Sequence, residues 1–329
     1  MSMQTTPRSA AQPSRRNGRQ TGPQTTPQSR PRSGVRTILA TIWRRGEGRY
    51  ALVILSLWIL TAAISLVWTP RPLLETDGYH VWQAPSAAHP LGTDGSGADV
   101  LSWLIAGART DLLIVILTIA VSTAIGLLLV AAMTARATAL ASTTVVVVDA
   151  LISIPTVLLA LILAVPLGAS IMVVVLACGL GYGLNLARVA RPAALLAARS
   201  PYVESARAAG AGAWWTFTRH VVPNVTPVLL VQASLSAGTA VLAESGLTYL
   251  GIGVPSGVPS WGRSLATSVT FINVYPLTVL WPGLVVTLVV IALNIMGDVL
   301  RDAADPLTNP ALRAGSTTDA DSTGKEDLR

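Results

Sequence analysis

RVARPAALLAARSPYVESARAAGAGAWWTFTRHVVPN, residues 188–224, is an arginine-bearing island between two long apolar stretches, and its reading decides how the chain is laid out. Arg188, Arg191, Arg199, Arg207 and Arg219 all lie in it. Each costs about 2.5–3.5 kcal/mol at the centre of a bilayer, so the island is expected outside the hydrocarbon. Within it, Ser200 is a suitable N-cap and Pro201 a suitable first helical residue, which predicts a short helix to about Ala209. Gly210 and Gly212 end that helix. A second short helix from about Ala213 carries Trp214, Trp215 and Phe217 and is expected to stop at Pro223. The first helix bears mostly small residues around one acid, Glu204, a shape suited to a groove on another protein.

The flanking sequence fixes the setting. Of 329 residues 51% are hydrophobic and 12% charged, about half the charged fraction of a soluble domain, so the fold expected is an all-α polytopic membrane protein. The net charge of +7 does not point to nucleic acid, because the basic residues cluster beside apolar runs and no zinc, RRM or helix-turn-helix pattern accompanies them. The single cysteine, Cys178, lies in an apolar run and cannot form an intrachain disulfide.

Residues 1–49 form a basic tail rich in Ser, Thr, Gln, Pro and Arg, expected to be disordered and without a signal peptide. Residues 50–68 are a 19-residue uncharged stretch, the first span. Residues 69–110 form a polar loop in which Val100, Leu101, Leu104 and Ile105 recur at helical spacing, predicting a short amphipathic helix at the outer surface. Residues 111–306 hold spans two to six. Span two is 111–133. Residues 142–186 number 45, too many for one crossing of about 30 Å, so they contain spans three and four with the turn at 166–170. Spans five and six follow at 226–244 and 276–296, and 307–329 is a second tail. Six spans with an inner N-terminus place three of the 23 basic residues outside (Arg71, Arg109 and Arg263) and the other 20 inside. That asymmetry predicts both termini in the cytoplasm.

The chemistry of an enzyme is missing from the sequence. His80, His89 and His220 are scattered, no ligand-spaced cluster suggests a metal, and there is no GxxxxGK[ST]. No cofactor is expected in this chain, and energy must come from another subunit. Three acids, Asp149, Glu244 and Asp298, lie in or at the ends of apolar spans, and as intramembrane ionisable groups they are candidates for a path or gate. Asp298 has Arg301 and Asp302 beside it for interfacial pairing. Asp149 has an alternative as a snorkelling or subunit-contact residue. Glu244 stands between a structural or gating role and a substrate-lining one.

Three blocks carry a family resemblance. The island resembles the EAA loop of binding-protein-dependent ABC importers: Glu204, Ser205, Ala206, Gly210, His220, Val222 and Pro223 occupy its places, with serine, histidine and valine departing from the general pattern. HPLGTDGSGADVLSWLIAGAR, residues 89–109, is similar to the block HPLGTDxxGRDVLSRLIxGAR of the C-type permease of dipeptide and oligopeptide importers, with Ala98 and Trp103 in place of two arginines. Any external salt bridge made by those arginines in relatives is not carried over. AESGLTYLGIGVPSGVPSWG and WPGLVVTLVVIALNIMGDVLRDAADP resemble the ending of the same family.

The resemblance covers residues 50 to about 306 and implies a type I ABC importer permease fold with six transmembrane helices. It implies that Glu204, Ser205, Ala206, Gly210 and Pro223 couple to the ATPase. The partners implied are a homologous B-type permease, two ATP-binding domains or subunits carrying ATP-Mg, an external solute-binding protein and a peptide substrate. Relatives with this architecture also import glutathione, nickel chelates or haem. A proton-coupled carrier using Asp149, Glu244 and Asp298, and a non-transporting scaffold, are the rival classes.

Overall fold

The computed structural model describes residues 42–304 apart from 44 and 74. Most of the N-terminal tail expected over 1–49, and all of the tail at 307–329, lie outside the described residues. Among the described residues ten α-helices run in order from Gly46, and the only β-type pairing is a single bridge between Thr93 and Asp99.

Helix α1, Gly46–Ile64, and helix α2, Val100–Met133, are joined by the polar segment in between. Asp99 caps α2: its Oδ2 accepts from the Ser102 amide at 2.9 Å and the Ser102 hydroxyl at 2.7 Å. Its Oδ1 lies 3.0 Å from His89 Nδ1. The cap satisfies one of the orphan amide donors of a helix start. The expected separation of a short amphipathic helix from span two is not found, because α2 runs unbroken through 34 residues. Arg109 and Asp111 suggest a boundary, but each has a partner within the protein. Arg109 donates to the Ser65 carbonyl at 2.7 Å and Asp111 accepts from the Trp261 amide at 3.0 Å. Charges paired in this way do not end a helix.

Helices α3, Thr138–Ile152, and α4, Thr156–Leu167, meet at 87°. Pro155 causes the break: it lacks an amide donor and pushes the preceding residue out of helical geometry. The sequence reading placed only one turn in this region, at 166–170. The chain does reverse there, after Leu167, but span three is itself bent. At about 1.5 Å per residue, the 12 residues of α4 cover about 18 Å, too little for a crossing without α3.

Helix α5, Ile171–Ala198, then continues well past Arg188, so the island expected to begin at 188 is helical and packed until 198. Arg188 sits on this helix with Nε 3.8 Å from Asp149 Oδ1 on α3, both side chains more than half exposed, and arginine is itself a good helix former. Helix α6 is Pro201–Ala208, α7 is Ala213–Thr216, a π-helical turn covers Phe217–Val221, and α8 is Val222–Tyr249. The expected stop at Pro223 is absent. The wider π turn just before it displaces the carbonyls with which a proline ring would collide, and the chain from Ala213 to Tyr249 reads as one apolar span. Helix α9, Trp261–Ser268, and α10, Pro276–Ala304, complete the chain.

Among the described residues five helices are long and apolar enough to cross a membrane, six if α3 and α4 are counted together as one bent span. In lipid, helices associate through close packing rather than through exclusion of water. The α2–α5 seam shows it: Gly179 and Gly183 of α5 lie against Val121 and Ile125 of α2, where an added Cβ would come within 2.6 and 2.9 Å of them. One cluster of buried residues, among them Val130, Met133, Ala194, Phe217 and Val221, fills the end of the bundle beside α6. Two others fill the opposite end: Trp58, Leu104, Val241 and Trp261 in one, Ile114, Val174, Cys178 and Leu247 in the other.

Candidate functional site

Each end of the bundle carries a distinct arrangement. At the first, α6 stands on the surface with only Val203 buried, while Glu204, Ser205 and Gly210 are exposed and Ala206 is half-buried. Its end is closed by two hydrogen bonds, Ala211 N–H to the Ala206 carbonyl and Gly210 N–H to the Arg207 carbonyl, both 3.0 Å. This is the Schellman pattern, and it puts Gly210 at φ +90°, where a side chain would be strained. The turn is tied to α8 through Tyr202, whose hydroxyl accepts from Asn224 Nδ2 at 3.1 Å and whose ring lies 5.7 Å from that of His220. Trp214 and Trp215 beside it remain 65% and 52% exposed. Large aromatic rings next to a small-residue helix make a surface suited to partner contact.

At the other end, Glu244 is 1% exposed and serves as the shared acceptor of two relays. The Val254 amide donates to Thr248 Oγ1, which donates to Glu244 Oε1, each at 2.9 Å. From the other side, the Arg263 amide donates to Ser260 Oγ at 3.0 Å, and Ser260 donates to the same Oε1 at 2.9 Å. Ser245 Oγ lies 3.3 Å from Oε2. Ser260 thereby caps α9 and docks it on α8 at once. Gly262 completes the fit, since a Cβ there would stand 2.5 Å from Oε2 and 2.6 Å from the Ser245 Cα. Trp261 locks the neighbouring helices: its indole donates to the Leu104 carbonyl at 2.9 Å and its ring lies 5.5 Å from that of Trp58.

Residues 123–309, more than half of the chain, match the family described as binding-protein-dependent transport system inner membrane component. The chain belongs to this family. The permease is 37% identical over 253 residues to a probable peptide ABC transporter permease of Sinorhizobium fredii, an alignment covering 77% of this chain and 86% of the relative. It is 32% identical over 255 residues to the dipeptide transport system permease protein DppC of Alkalihalophilus pseudofirmus, covering 78% and 84%. It is also 32% identical over 262 residues to the nickel transport system permease protein NikC of Escherichia coli, covering 80% and 95%. With its long apolar helices, it is a multi-pass membrane protein of the ABC importer permease type.

The sequence-derived candidates fall in different places. Glu204, Ser205, Ala206 and Gly210 share one short element, and Pro223 is exposed at the start of α8 on the same end of the permease. Glu244 is enclosed by its partners rather than open to a path. Asp149 does not join it. Its side chain is 52% exposed on the outer face of α3, paired with Arg188, rather than turned toward the interior. Asp298 is exposed on α10, and Asp302 pairs with Arg45 near the start of α1. One buried acid was missed: Asp111, 2% exposed, whose Oδ2 receives the Trp261 amide while Oδ1 finds no partner among the described residues. A continuous helical reading of 100–133 would have exposed it as a fourth intramembrane carboxyl, next to the α9 start.

Proposed function

We propose that this permease is the C-type subunit of an ATP-driven importer of dipeptides or oligopeptides. In this reading it forms half of the translocation path with a homologous B-type permease, receives solute from an external binding protein and has no ATPase site of its own. ATP-Mg is held by two partner domains or subunits, and Glu204, Ser205, Ala206, Gly210 and Pro223 form the element that couples to them. The observation that carries this reading is the exposed α6 with its Schellman turn. A surface helix with one buried anchor, Val203, and a glycine at φ +90° is a small rigid knob backed by the π turn of the next span. The chain contains no GxxxxGK[ST] through which it would bind ATP by a P-loop.

The orientation follows from charge: α6 and both tails face the cytoplasm, and the Glu244 end faces outward. Residues 89–109 and 250–275 then lie on the outer side. Glu244 acts there as a gate. It joins α8 to α9 through the Ser260 hydroxyl, whose bond must part if the two helices separate, and Asp149 serves as a lateral ion pair with Arg188. Peptide is the favoured solute because relatives named for peptide and dipeptide transport align over more than three quarters of the chain. The relative named for nickel transport supports a nickel chelate as the second reading.

The test uses the assembled transporter in vesicles with its binding protein. Uptake that stops on ATP depletion but survives collapse of the proton gradient supports the proposal, whereas the opposite pattern makes the chain a proton-coupled carrier. An ATPase that fails to copurify would indicate a scaffold. The ligand carried by the copurified external subunit identifies the solute.

A further inference from the structure

The α6 end also contains a cleft that the coupling role does not explain. It has a volume of about 550 Å³ and lies between the end of α2, the start of α3 and the last turns of α5. Four arginines line it: Arg136, Arg191, Arg199 and Arg207. No acidic residue lines it, and among the described residues no carboxylate lies within ion-pair distance of any of the four. Arg191 Nε is buried and lacks an acceptor among the described residues. Guanidinium groups converging without a counter-charge repel each other, and the arrangement is relieved by an anion with several acceptor oxygens.

The remaining wall is apolar, with Met133, Ala141, Val145, Val146 and Leu195. Val146 is 68% exposed on the face of α3 that also leaves Leu140 and Val147 uncovered. A free phosphate has no use for such a wall, but an acyl chain does. The cleft also lies where the apolar helices give way to the arginine-rich turns, the level of a lipid headgroup. Basic pockets between membrane helices of this kind take phosphate-bearing lipids.

We infer that this cleft binds an anionic phospholipid, its phosphate held by Arg136, Arg191 and Arg199 and one acyl chain laid along Val145 and Val146. The lipid would brace the bend between α2 and α3 against the base of α6. This goes beyond the coupling proposal and does not depend on the solute.

The experiment is native mass spectrometry of the assembled, delipidated transporter titrated with dioleoyl phosphatidylglycerol, dioleoyl phosphatidylcholine or glycerol 3-phosphate. Wild type is expected to keep one phosphatidylglycerol that survives activation, with phosphatidylcholine bound more weakly. The Arg136→Gln/Arg191→Gln pair is expected to weaken that phosphatidylglycerol about 25-fold, at roughly a fivefold loss per removed arginine. Arg136→Lys/Arg191→Lys keeps the charge and is expected to restore most of it, so that a folding defect is distinguished from loss of the site. Equal retention of the two lipids, undiminished binding by the glutamine variant, or full competition by glycerol 3-phosphate would each overturn the inference. So would cross-linking of Arg136→Cys to a partner ATPase in a complex that retains no phosphatidylglycerol.

Discussion

Replacing Glu244 by alanine and by glutamine separates a shared acceptor from a mere filler of space. Glu244 Oε1 accepts from both Thr248 and Ser260 at 2.9 Å, and each of those hydroxyls already accepts from a backbone amide, Val254 and Arg263 respectively. Alanine leaves both hydroxyl protons without an acceptor in a buried place, about 1 kcal/mol each at the low end of the range for orphaned groups. The space vacated by the carboxylate adds about 1–2 kcal/mol. The expected destabilisation is therefore about 3–4 kcal/mol. Glutamine keeps the carbonyl oxygen for both donors and turns its amide toward Ser245 Oγ, so its cost is expected below about 1 kcal/mol. Thermal unfolding of the assembled transporter reads the ranking, alanine far below glutamine and glutamine near wild type. Because the bond from Ser260 holds α9 on α8, alanine is also expected to raise ATP hydrolysis in the absence of solute, through a weakened outer seal. A Glu244→Ala/Ser260→Ala double variant should cost less than the sum of the single changes, since both remove one bond. Equal stability of the alanine and glutamine variants, or strict additivity of the double variant, would refute the acceptor argument.

Gly262→Ala should destabilise by about 1–3 kcal/mol, the usual cost of overpacking, because its Cβ meets Glu244 and the α8 backbone, and thermal unfolding checks it. Gly210→Ala should cost about 1 kcal/mol for the left-handed conformation while leaving assembly intact. Gly210→Pro removes the amide that bonds the Arg207 carbonyl and forbids φ +90°, so transport and solute-stimulated ATP hydrolysis should fall together in vesicle assays. Cysteines at positions 80 and 257 should react with an impermeant reagent added outside, and one at 207 should not; external labelling at 207 would invert the proposed orientation. Trp261→Phe should cost about 1 kcal/mol in unfolding by losing the indole bond to Leu104 while keeping the ring against Trp58.

Much of this architecture is written locally. Pro201 and Gly210 announce the start and stop of α6 by their own backbone preferences, and the apolar runs give the spans by length alone; Ser200 takes the N-cap position, but its hydroxyl donates back to the Ala197 carbonyl instead of capping α6. What sequence could not supply was pairing at a distance. Arg109 and Asp111 read as a loop boundary because their partners, the Ser65 carbonyl and the Trp261 amide, are 44 and 150 residues away. Arg188 read as the edge of a loop because Asp149 on another helix was not seen as its mate. Prolines misled in both directions. Pro155 breaks its span, whereas Pro223 follows a π turn that makes room for it. Glu244 was legible as an unusual acid, but its role as common acceptor depends on Ser260, which reaches it only through the packing of Trp261 against α1 and α2.

The π turn at Phe217–Val221 also hides a residue. Relative to an uninterrupted α-helix it holds one surplus residue in a wider turn, so the tryptophan-bearing segment keeps nearly the facing that a plain helix would give it. Deleting that residue would let the turn close as α-helix with little rotation, but it would restore the collision with the Pro223 ring that the wider turn relieves. A further inserted residue, with no second wide turn to take it up, would rotate α6 by about 100° against α8. The facing direction of α6 should therefore survive shortening of this turn better than lengthening.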